Sequence, residues 1–101
     1  MRENKYDAQI GERAKHIREV MGMTRSEVSE TLGVNPASIT NYEHGKTPMR
    51  ASTIRKLCDI YGVSATWLLG IEDTLRYKGE INGRKVELVE VSPSVESPLK
   101  A

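Results

Sequence analysis

Phenylalanine is missing from this 101-residue chain, and aromatic residues make up only 5% of it. With 38% hydrophobic residues, such a chain can fill one small, mainly aliphatic core and not two. A single cysteine, Cys58, excludes an internal disulfide and agrees with a reducing compartment. No apolar run approaches the ~18 residues that a membrane helix requires. The opening MRENKYDAQ also lacks the apolar stretch of a secretory signal. Charge of one sign is equally scarce: fifteen Lys and Arg face fourteen Asp and Glu, for a net +1. No global field announces a polyanionic partner, so a basic surface has to be local. The expectation is a cytoplasmic chain without membrane contact.

What is present is helical periodicity punctuated by glycine. Residues 1–6 read as a flexible N-terminal arm, 7–71 as a helical domain, 72–91 as a β-hairpin, and the Ser/Pro-rich 92–101 as a disordered tail. Ile10, Ala14, Ile17 and Met21 form one stripe of a helix over Asp7–Met21, ended by Gly22. Thr24 with Glu27 three residues on is a capping box that opens a second helix, closed by Gly33. Asn35-Pro36 starts a third, since Asn caps well and Pro at the first helical position loses only an unpaired N–H. Ile54, Leu57, Cys58 and Tyr61 give the inner face of a fourth helix, and Ser64 caps a short fifth over Ala65–Leu69. The fold class is an all-α five-helix bundle with an appended hairpin.

Arg25–His44 holds two short helices about a tight Gly33 turn. Val28, Leu32, Val34, Ile39 and Tyr42 are the apolar positions that lock them at a steep angle, with small Ser29 at the close approach. The second helix then projects, and a projecting helix fits the ~12 Å major groove of B-DNA. Residues 1–71 carry ten Lys and Arg against eight Asp and Glu, whereas 72–101 carry five against six. That mild bias favours a dimer making several phosphate contacts over one strongly basic surface.

An ordered set of motifs lies over residues 10–70: Ile10-Gly-Glu-Arg, Ile17-Arg18, Gly22-Met-Thr, Leu32-Gly-Val, Ser38-Ile39-Thr40, Glu43-His-Gly45-Lys46, Pro48 and Val63-Ser-Ala-Thr-Trp67-Leu-Leu-Gly70. In this set the chain resembles the lambda-repressor-like, or XRE/Cro, helix-turn-helix proteins. The resemblance implies a recognition helix containing Ala37–His44, with base-reading positions at Asn35, Pro36, Ala37, Thr40 and Asn41. Asn41 is the candidate for adenine, because a side-chain amide pairs with both N6 and N7. Phosphate-binding positions are Thr24, Arg25, Ser38, His44, Lys46 and Arg50. Arg18 and Glu43 match a structural salt bridge of that family. The family usually has Gln where Arg25 stands, Ala at Ser29, and often a base-contacting Gln at Pro36. With no Arg or Lys before Lys46, guanine readout from this helix is not expected, and the half-site should be weighted toward A·T.

Asn82-Gly83 marks a two-residue hairpin turn that pairs Ile81 with Arg84, Glu80 with Lys85 and Tyr77 with Leu88. Tyr77, Ile81, Val86 and Leu88 share its apolar face. An isolated hairpin is marginal in water, so that face is expected at a homodimer interface, the competing reading being a lid on its own bundle. Trp67, Tyr42 and Cys58 read as core. His16 and His44 lack the companions a metal site needs, and no nucleophile–base set supports an enzyme. Neither cofactor nor metal is expected. The resulting expectation is a homodimeric, Cro-like bacterial or phage repressor on a palindromic operator in double-stranded DNA. Thirty residues after Ile71 are too few for the self-cleaving domain of the long phage repressors. A toxin-binding antitoxin that autoregulates its operon is the alternative, a pure protein-interaction adaptor a third, and a toxin or antirepressor a further candidate partner.

Overall fold

The first helix begins where Asn4 can cap it. In the computed structural model, which describes residues 4–81 and 84–91 and only the backbone of 76–81 and 85–91, Asn4 Oδ1 accepts the Tyr6 amide at 2.7 Å. Helix α1 therefore spans Lys5–Val20, with Asp7 in its first turn, where the helix dipole favours an acid. Lys5 and Tyr6, expected in an arm over 1–6, are helical because this local cap lies upstream of the apolar stripe.

α2 spans Arg25–Leu32, α3 Pro36–Glu43, α4 Ala51–Tyr61 and α5 Ala65–Leu68. Their ends follow local chemistry. Thr24 and Glu27 form both halves of the capping box, Asn35 Oδ1 accepts the Ser38 amide at 3.0 Å, and Ser64 Oγ accepts the Trp67 amide at 3.2 Å. Strands β1 (Thr74–Ile81) and β2 (Arg84–Val91) pair antiparallel, from Thr74 opposite Val91 to Ile81 opposite Arg84. The turn Asn82-Gly83 and the tail 92–101 lie outside the described residues. So do the side chains of Tyr77, Ile81, Val86 and Leu88, on which the interface expectation falls.

Ile17, Val28, Leu57, Tyr61, Trp67 and Leu68 form the centre of the core, joined by Ala14, Leu32, Ile39 and Val63. Two fully buried residues depart from the sequence reading. Leu75, at the start of β1, is a member of this core, so the strand meets the bundle at its second residue. Arg13 is also fully buried. Its Nη1 donates to Trp67 O and Glu72 O, both at 2.7 Å, its Nη2 donates to Asp73 Oδ1 at 3.2 Å, and its guanidinium lies 5.3 Å from the Trp67 ring centre. One α1 side chain thus fastens the end of α5 and the run into β1.

Ile54 and Cys58 are only half-buried, although their spacing puts them on the inner face of α4. They line a surface groove of about 540 Å³ between α4 and α5, with Ala51, Ala65 and Leu69. Burial still pushes the Cys58 thiol above its ordinary value.

Candidate nucleic-acid interface

Gly33 sets the angle between α2 and α3. It closes α2 in the left-handed region, φ 76° and ψ 30°, where a side chain is disfavoured. The amides of Gly33 and Val34 both end on Ser29 O, at 2.9 and 3.0 Å, so the turn leaves no donor loose. Ser29 is itself buried, and its hydroxyl donates to Ser26 O at 2.7 Å, which satisfies it without a partner on α3. Val28 and Leu32 pack with Ile39 in the gap between the helices.

With that face inward, α3 turns Asn35, Pro36, Ala37 and Asn41 to solvent, while Thr40 is half-buried. Pro36, Ala37, Thr40 and Asn41 stand three and four positions apart, so helical geometry puts them on one face of α3. Their polar groups are not equally free. Asn35 Oδ1 is occupied by the Ser38 amide and, more weakly, by the Ser38 hydroxyl at 3.4 Å. What Asn35 can offer outward is therefore its amide N–H groups. The Thr40 hydroxyl donates to Pro36 O at 3.4 Å. The Asn41 side chain has no partner among the described residues, so both its donor and its acceptor are available. α3 itself, PASITNYE, has no cationic side chain.

The expected phosphate ligands surround this edge less uniformly. His44, Lys46 and Arg50 are exposed just beyond α3. Thr24 is exposed, but its hydroxyl is part of the capping box, accepting the Glu27 amide at 3.1 Å. Ser38 is half-buried, with its amide and hydroxyl on Asn35. Arg25 donates from Nε to Glu43 Oε1 at 3.0 Å.

Glu43 is the junction of α1, α2 and α3. Its side chain is 2% exposed, and its carboxylate also receives Arg18 Nε at 2.7 Å and Arg18 Nη2 at 3.2 Å. Arg18 completes its set by donating from Nη1 to Met23 O at 2.9 Å. The hydrogen bond to Glu43 holds the Arg18 guanidinium above its ordinary pKa. A buried carboxylate with two guanidinium partners avoids the penalty of an unpaired interior charge.

Sequence reasoning missed Arg13 and the Arg25–Glu43 contact. Arg13 had a signal: it falls three residues after Ile10 and four before Ile17, on the apolar stripe, where a charge needs a buried partner. Arg25–Glu43 had none, because it depends on how α2 and α3 cross. Among the described residues no group of His, Cys, Asp or Glu is arranged to hold a metal ion, and no helix is long and apolar enough to cross a membrane.

The family profile of a helix-turn-helix domain matches residues 9–68. The HTH-type transcriptional regulator ImmR of Bacillus subtilis is 34% identical over 71 residues, covering 70% of this chain and 55% of that regulator. RamB of Mycobacterium tuberculosis, another HTH-type transcriptional regulator, is 23% identical over 64% of this chain and only 14% of its own length. The chain thus spans about half, or less, of these relatives. Among solved structures, the P22 c2 repressor in complex with a synthetic operator matches with a TM-score of 0.58 at 21% identity, over 62% of this chain and 96% of that one. The SOS-response repressor LexA of Eubacterium rectale matches with a TM-score of 0.62 at 16% identity, over 96% of this chain and 93% of that one. At these identities the structural likeness is one of fold. The profile spans α2, the Gly33 turn and α3 within their five-helix setting, and the chain belongs to the helix-turn-helix family.

Proposed function

We propose that this chain binds double-stranded DNA in a sequence-specific way and represses transcription as a homodimer on a palindromic operator. The observation that carries the reading is the outward edge of α3. Asn35, Pro36, Ala37 and Asn41 are exposed there, the Asn41 amide is unengaged among the described residues, and exposed His44, Lys46 and Arg50 follow in the chain. In that arrangement α3 enters the major groove and the cations beyond it hold the backbone, positioning without specifying. The Asn41 amide reads adenine, and Ala37 with the Thr40 methyl packs on thymine, which weights the half-site toward A·T. Two-fold symmetry supplies the second half-site about one helical turn away. The operator-bound P22 c2 repressor, whose fold this chain shares, supports the reading by analogy.

Selection of bound duplexes from a random library tests it. A palindromic, A·T-weighted consensus is expected, with affinity falling as salt rises. Replacing Thr40 and Asn41 together by alanine should reduce discrimination at the contacted base pairs by about 1–3 kcal/mol for the lost bidentate contact, with the thermal midpoint little changed. A folded double variant that keeps the wild-type consensus would exclude α3 as the reading element. An invariant run of G·C pairs beneath α3 would exclude the base assignment.

A further inference from the structure

Arg25 faces two ways. Its Nε is held on Glu43 Oε1 at 3.0 Å, yet its side chain keeps 35% of its surface exposed, against 2% for Glu43 and 10% for Arg18. A guanidinium carries five N–H donors in a rigid plane, and the contact with Glu43 uses one. Neither Nη1 nor Nη2 of Arg25 meets another group among the described residues. Arg18 differs, since its Nε and both terminal nitrogens end on Glu43 and on Met23 O. One carboxylate set against two guanidinium groups also leaves one positive charge uncompensated. Of the two arginines, the more exposed Arg25 can carry that charge to solvent.

We infer that Arg25 is a bridging residue, with Nε anchored on Glu43 while its terminal nitrogens grip a phosphate oxygen of duplex DNA, and that Glu43 is the positioning residue for this grip. The inference rests on the DNA-binding reading above and adds to it the way one backbone contact is built. A free surface arginine loses its rotamer freedom when it meets a phosphate. Here the anchor removes much of that freedom on folding, and the plane of the fork is set before DNA arrives. The same carboxylate lies at the last residue of α3, so the backbone grip from α2 and the reading helix are held in one register. A lysine in this place has a single nitrogen with which to meet two acceptors, which makes the exchange non-conservative.

The test uses the full chain and a duplex recovered by the library selection. Failure to recover any duplex defeats the DNA-binding reading itself, separately from this inference. With a duplex in hand, Arg25→Met should lower the slope of log affinity against log salt by about one for each protomer bound. Arg25→Lys should weaken binding at least about fivefold, despite its conserved charge, if the fork matters. Wild-type affinity in Arg25→Lys, or an unchanged slope in Arg25→Met, would overturn the inference. NMR of 15N-labelled arginine in the wild-type chain decides the geometry even where a variant folds poorly. The Arg25 Nε–H signal should persist at its Glu43-bound position in the complex, while the Nη protons slow in exchange. Loss of the Nε–H signal position on adding DNA, or Nη protons that stay fast, would overturn it as well.

Discussion

Arg13 is the most buried charged side chain among the described residues. It is fully buried and its acceptors come from the end of α5 and from Glu72 and Asp73. Arg13→Met keeps the length and the contact with Trp67 but strands two carbonyls. The variant should lose about 1–3 kcal/mol for each carbonyl left without its donor, as read by urea unfolding. A loss below about 1 kcal/mol would mean that water replaces the guanidinium there. Tyr61 makes a second residue-level prediction. Burial first, and the Glu43 carboxylate second, hold its phenol protonated well above its ordinary value of 10.0. Below pH 10 the folded and unfolded chains bind the same phenolic proton, and stability is unaffected. Above pH 10 the unfolded chain releases it and the folded chain does not, so stability falls as pH rises. By pH 11 this group alone should cost about 1.4 kcal/mol, and Tyr61→Phe should flatten that part of the urea midpoint profile. An identical profile for the variant would remove Tyr61 as the cause.

Between elements, two glycines do different work. A Cβ on Gly11 would stand 2.2 Å from Tyr42 O and 2.6 Å from Glu43 O, so α1 rests directly on the carbonyls that end α3. A Cβ on Gly33 would meet nothing within 4 Å among the described residues, and its constraint there is a left-handed φ. Gly33→Ala should therefore cost about 1–2 kcal/mol from backbone strain. Gly11→Ala has to move two helices apart, and should cost more than Gly33→Ala while also displacing α3 and weakening DNA binding in the folded fraction. Paired thermal melts and duplex titrations check the order; equal costs would refute the distinction. The contrast also explains what the sequence could disclose. Gly33 was readable, because a glycine between two capped, amphipathic stretches is a local signal, as were the caps at Thr24, Asn35 and Ser64. Gly11 and Arg13 gain their meaning from residues thirty or more positions away. The outer edge of α3 followed from periodicity plus resemblance. The capture of Asn35 Oδ1 by Ser38, and of Arg25 by Glu43, required the helices to be packed.

At the scale of the whole molecule, the helical body and the strand segment are not separable where composition suggests. A boundary at Ile71 looks natural, since that residue is 74% exposed and the helical pattern ends just before it. Ending the chain there, however, removes Leu75 from the core and both Glu72 and Asp73 from Arg13. Loss of a fully buried leucine alone costs about 2–5 kcal/mol, a large part of the stability of a small domain. A chain stopped at Ile71 should therefore melt far below the full chain, and its sedimentation would report unfolding as much as assembly. A chain stopped at Arg76 keeps Leu75 and the Arg13 acceptors while removing Tyr77, Ile81, Val86 and Leu88. If those four form the homodimer contact, the Arg76-terminated chain should retain cooperative melting and sediment as a monomer. It should also bind a single half-site weakly, since one protomer makes half the phosphate contacts. A dimer that survives this truncation would move the two-fold contact from the strands to the helical body.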